Sequence, residues 1–159
     1  MSRLLVAVFL ASVVAVCSAQ NSTTPTVMFK LERYSNPNNQ LQDGSNCDPF
    51  GWSKCDPYVV VHVRNSANVT DLQTFTSTPT NDVSSLDFQM FIGFVNPLLI
   101  KVPKGTVVDL SVTIYDDDDI GQDEIIGTYW FLYVAGTEAK RETKTAGSAS
   151  LTVMMATVG

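Results

Sequence analysis

Between residues 115 and 127 the chain reads YDDDDIGQDEIIG, which places Asp116, Asp117, Asp118, Asp119, Asp123 and Glu124 in one short segment. With Asp48 and Asp56 from a second segment they make up eight of the sixteen acidic residues. Neighbouring carboxylates repel one another, so a set that served only solubility would be dispersed. The chemistry they suit is capture of a hard divalent cation. Calcium takes about six to eight oxygen ligands in a flexible arrangement and accepts Asp and Glu in either mono- or bidentate fashion. The competing reading is a solvated acidic turn that needs no ion, as most charge runs are. Zinc is not suited: the chain has one His and three Cys, without the usual ligand spacing. An enzyme is not expected either. The single histidine, His62, falls mid-strand on the side shared with Arg64, and there is no G-x-S-x-G, H-E-x-x-H or phosphate-cradling glycine loop. Paired carboxylates for glycoside hydrolysis are present, but no apolar pocket accompanies them to raise one pKa.

Such residues work together only if the backbone brings them together, and the backbone signal is alternation with period two. Val27, Phe29 and Leu31 alternate with Met28, Lys30 and Glu32. Val59, Val61 and Val63 alternate with Val60, His62 and Arg64. Leu110, Val112 and Ile114 run into the acidic segment, and Leu151, Val153 and Met155 form the last series. Further strands are expected near 71–77, 86–95, 97–102 and 124–134, divided by NDVSS, Asn96-Pro97, Pro103-Lys104-Gly105 and a polar stretch from Gly136 to Ala149. Eight short strands without a helical stripe predict an all-β fold, an eight-stranded antiparallel β-sandwich. In a sandwich, loops distant in sequence share one end. Asp48 and Asp56 follow the strand at 26–35, and 116–124 follow the strand at 106–115, so the two acidic segments are expected at a common edge.

The first nineteen residues, MSRLLVAVFLASVVAVCSA, have an early Arg, an apolar stretch from Leu4 to Val16 and small residues at Cys17 and Ala19, the layout of a cleaved secretory signal. The expected organisation is a signal peptide at 1–19, a tail at 20–25 and one domain at 26–159, with a secreted, extracellular, monomeric product. Removal of the signal leaves Cys47 and Cys55. They are expected to pair in an oxidising compartment, the alternative being two free or intermolecular thiols. The formal net charge of −6 excludes nucleic acid as a partner. Asn21 and Asn68 each begin an N-x-S/T sequon open to glycosylation after export.

Asp56-Pro57-Tyr58-Val59-Val60-Val61 resembles the DPYV opening of a strand in C2 domains, in which the Asp closes the first calcium loop. The stretch VTIYDDDDIGQDEIIG resembles that family's third loop, with acids at Asp116, Asp118 and Glu124 followed by Ile125-Ile126-Gly127. The resemblance implies calcium ligation by Asp56, Asp116, Asp118 and Glu124. Most members carry a further Asp six residues before the DPYV Asp, where this chain has Phe50; Asp48, eight before, serves if the loop bulges, and Asp43 is a poorer substitute. In extended chain Asp116 and Asp118 point to one side, Asp117 and Asp119 to the other. FKLERYSNPNNQLQDGSNCD resembles the start of the lipid-binding C2-type domain at the N-terminus of Notch ligands of the Delta and Jagged kind, although adjacent paired cysteines, a receptor-binding module and EGF repeats are missing. Related domains use the ion to bridge loop carboxylates to an anionic phospholipid or glycolipid membrane surface while apolar loop tips enter the bilayer. Phe50, Trp52 and Ile120 occupy such tips here; the competing reading is that Phe50 and Trp52 pack on the cysteines. The alternative class is a calcium-rigidified ligand or co-ligand for a receptor ectodomain, with a Notch-related role the one this resemblance raises.

Overall fold

The computed structural model describes residues 24–48, 54–68, 70–88, 95–118 and 122–159. Nine antiparallel strands form two packed sheets, with no α-helix among the described residues. They are β1 (Thr26–Ser35), β2 (Pro57–Asn65), β3 (Thr70–Thr76), β4 (Ser85–Asp87), β5 (Leu98–Lys101), β6 (Val107–Asp116), β7 (Glu124–Val134), β8 (Lys140–Ala146) and β9 (Ala149–Val158). One sheet runs β4-β1-β9-β8, with β5 also on β1; the other runs β3-β2-β6-β7.

The expected two-sheet sandwich is thus present, with one strand more than the alternation predicts. β8, KRETKTA, lies inside the polar stretch read as a connection. It is an edge strand whose Lys140, Arg141, Glu142 and Lys144 blunt an otherwise unpaired ladder, and an edge has no need of an apolar row. The strand expected over 86–95 is described only as β4, and 89–94 lie outside the described residues. β4 and β5 pair with opposite ends of β1, and the Asn96 side chain bridges the gap between them. It accepts from Leu31 N–H at 3.1 Å and donates to the Leu31 carbonyl at 2.8 Å, supplying the two ladder bonds that a strand residue would make.

The alternating valines and leucines close the core: Val27, Phe29, Val61, Val112, Leu151 and Val153 are fully buried, each contributing about 1.5–3 kcal/mol relative to exposure. A bulge between Leu31 and Arg33 shifts the inward register of β1, so Tyr34 rather than Arg33 continues the buried row. β1 therefore enters the first acidic loop with its last aromatic anchored in the core.

Candidate metal centre

β2 and β6 are neighbours in register, Pro57 opposite Asp116. Because the strands are antiparallel, the start of β2 and the end of β6 coincide, and the loops before one and after the other meet. The junction is made by hydrogen bonds. Asp56 N–H donates to Asp116 Oδ1 at 2.6 Å, and Asp117 N–H donates to the Asp56 carbonyl at 3.1 Å. The two acidic segments therefore share an edge, as the sandwich argument requires.

Asp116 is 3% exposed. Its carboxyl is pushed up to about 6, first by burial, against the Asp56 N–H bond that favours ionisation, and then by the charges of Asp118, Asp56 and Glu124. Three of the four carboxylates implied by the resemblance thus act on the fourth. Asp117 is exposed and Asp118 half-buried, in keeping with opposite directions of their side chains. Asp119 lies outside the described residues, as do Phe50, Trp52, Ile120 and Asn21. Asp48 is half-buried directly after Cys47, and Glu124 is exposed at the start of β7. Asp43 is exposed and holds Ser45, accepting its N–H at 2.9 Å and its hydroxyl at 2.5 Å, bonds that keep this carboxyl below the ordinary range.

Cys47 and Cys55 form a disulfide. Both sulfurs and a carboxylate oxygen of Asp116 lie within 4.8 Å of one another, the one such trio of His, Cys, Asp or Glu atoms among the described residues. Bonded sulfurs are not thiolate ligands, so this trio is no metal centre. The carboxylates of Asp56, Asp118 and Glu124 do not join a trio of that closeness with Asp116. The donor set fits calcium: hard oxygens only, one of them buried and held up in pKa first by that burial and then by its acidic neighbours.

Three residues to which the sequence reading gave no role complete the rim. Asp82, in the loop between β3 and β4, adopts a left-handed conformation (φ 56°); its N–H donates to Asp56 Oδ1 at 2.5 Å and its Oδ1 accepts Lys54 N–H at 3.2 Å. Asn36, fully buried, accepts Ser148 Oγ–H at 2.7 Å and donates to the Gln40 carbonyl at 2.9 Å and to Cys55 Sγ at 3.2 Å, while its N–H reaches the Ser84 carbonyl at 2.6 Å. Tyr58 stacks on Tyr115, centroids 5.2 Å apart, and donates to Asp123 Oδ2 at 2.7 Å. The Asn-rich turn after β1 and the Tyr inside DPYV were the available signals; for Asp82, inside TPTNDVSS, there was none beyond a turn composition. At the opposite end of the sheets, Asn68 is exposed in the β2–β3 turn, and Ser66 N–H there bonds the Val107 carbonyl at 3.1 Å.

No family model matches the chain, and no curated protein does. Solved structures match in fold. A C2 domain protein from Ramazzottius varieornatus aligns with a TM-score of 0.62 and 15% identity, over 85% of this chain and 88% of that one. A C2 domain of plant Extended Synaptotagmin 1 aligns at 0.57 and 15%, over 84% and 94%. Human GIVD cytosolic phospholipase A2 matches at 0.55 and 17%; this chain spans 17% of its length, within its C2 region only. The chain has the C2 fold, a non-catalytic module in most of these neighbours. The narrower resemblance also recurs in structure: the Drosophila C2-DSL-EGF1 fragment aligns at 0.59 and 16% identity over 84% of this chain and 67% of that one.

Proposed function

We propose that the chain is exported after removal of residues 1–19 and that residues 26–159 bind calcium, and through it an anionic phospholipid or glycolipid membrane surface. Asp48, Asp56, Asp116, Asp118 and Glu124 would hold the ion, and Phe50, Trp52 and Ile120 would enter the interface. The observation that carries this reading is the joint between Asp56 and Asp116, where burial and then the charges of Asp118, Asp56 and Glu124 raise the pKa of Asp116. A divalent cation relieves that repulsion and cancels the negative field that would keep the rim off an anionic bilayer. Extracellular calcium is high enough to fill sites of about 10⁻⁴ to 10⁻³ M affinity, so the ion acts as a standing bridge rather than a transient signal. A glycan on Asn68, at the far end of the sheets, would leave the rim unobstructed; Asn21 is the second proposed acceptor.

Sedimentation with phosphatidylserine vesicles, with and without a chelator, tests the membrane step. Calcium-dependent pelleting is expected, and its absence discards membrane attachment. The second reading, a calcium-rigidified ligand or co-ligand for a receptor ectodomain, is favoured by the likeness to the Drosophila C2-DSL-EGF1 fragment. It predicts that calcium raises the melting midpoint while vesicles stay unbound.

A further inference from the structure

The Cys47–Cys55 bond is placed where it governs the candidate ligands. Each half-cystine directly precedes one of them, Asp48 and Asp56. Cys55 is fully buried and Cys47 is 3% exposed, with Asp116 packed against both sulfurs. The peptide at 55–56 is also where the rim converges. The Cys55 carbonyl accepts Val83 N–H at 3.0 Å, Cys55 Sγ receives the Asn36 amide, Asp56 N–H holds Asp116, and the Asp56 carboxylate holds the loop at Asp82. Two thiols in non-bonded contact need more room than two bonded sulfurs, and in a close-packed site that room must come from Asp116 or from the backbone carrying Asp48 and Asp56.

We propose that this disulfide and the bound cation are coupled, so that the oxidised rim binds calcium more tightly than the reduced one and calcium in turn resists reduction of the bond. The proposal rests on the rim being a calcium site. In the reaction a dithiol's thiolate attacks one sulfur to give a mixed disulfide. Its second thiol then closes the reductant into a cyclic disulfide, delivering two electrons and two protons to Cys47 and Cys55. Equilibrium coupling is reciprocal: if reduction weakens calcium binding by some factor, saturating calcium shifts the reduction equilibrium by the same factor.

Two measurements on the full chain decide it. Calorimetric titration compares calcium affinity of the oxidised chain with that of the chain reduced by dithiothreitol, far-UV circular dichroism confirming that the strands persist. Affinity should fall about tenfold or more on reduction, within the range usual for coupled sites. In the second, the oxidised chain is equilibrated in dithiothreitol redox buffers with and without saturating calcium, and free thiols are counted. Calcium should shift the midpoint toward stronger reductant in the wild type but not in Asp116→Asn. An Asn96→Ala variant, weakened at the middle of β1 and not at the rim, should keep its calcium affinity, which separates positioning from general loss of stability. If the reduced chain unfolds, a calcium shift of the midpoint reports the fold as a whole, and coupling through the rim is overturned. Equal affinities with an unmoved midpoint overturn the coupling and leave the calcium site standing; no uptake by the oxidised chain overturns both.

Discussion

Of the five candidate ligands Asp116 alone is buried, and the charges of Asp118, Asp56 and Glu124 act on it. Its carboxyl holds a proton up to about pH 6 in the folded chain, against an ordinary value of 3.8. Between those values the folded state binds more protons than the unfolded, so stability is greatest at the acidic end of that window and is lost as pH rises through 6. Without calcium, the loss between pH 4 and 6.5 should be on the order of 2–3 kcal/mol from this group, read as a falling melting midpoint. Saturating calcium should remove the fall, because the ion favours the ionised carboxylate. Asp116→Asn should flatten the metal-free profile. Combined with Asp118→Asn, it should abolish the calcium-induced rise in midpoint that binding to the folded form requires. A persisting rise would reassign the ligands.

At the scale of elements, the edges of the sandwich depend on side chains that complete a ladder or make room for one. Asn96→Ala removes both part-buried bonds to Leu31, so a loss of roughly 1–3 kcal/mol is expected in denaturant titration. Gly127 follows a bulge at the start of β7, and a Cβ there would stand 2.6 Å from Tyr129 Oη and 3.1 Å from Ala146 Cβ. Tyr129 is 1% exposed and has little room to retreat, so Gly127→Ala should destabilise by about 1–3 kcal/mol. This glycine belongs to the Ile-Ile-Gly ending that made the third loop recognisable. In the fold its role is to seat a core tyrosine beneath the rim.

For the whole molecule, the arrangement is polar: the acidic loops and the disulfide lie at one end of the sheets and the Asn68 turn at the other. If the rim meets a bilayer through Phe50 and Trp52, changing both to Ala should weaken vesicle binding without moving the calcium-induced melting shift. Loss of both together would mean that these aromatics pack on the disulfide instead.

The sandwich was legible because its core strands bury one face each, and burial on one face forces alternation: β1, β2, β6, β7 and β9 all lie where the apolar period puts them. β8 was not legible, since an edge strand needs charge rather than an apolar row. The clustering of the carboxylates was legible in the composition, their proposed role as ligands in the C2 resemblance, and the cysteine pairing in count and compartment. Their convergence came from elsewhere. Strand order, which sets β2 beside β6, depends on pairings between segments some fifty residues apart that no local pattern encodes. Asn36, Asp82 and the contact of the disulfide with Asp116 owe their roles to loops meeting in space. Composition and period specified which groups were available and which strands carried them; only tertiary packing decided which of them face one another.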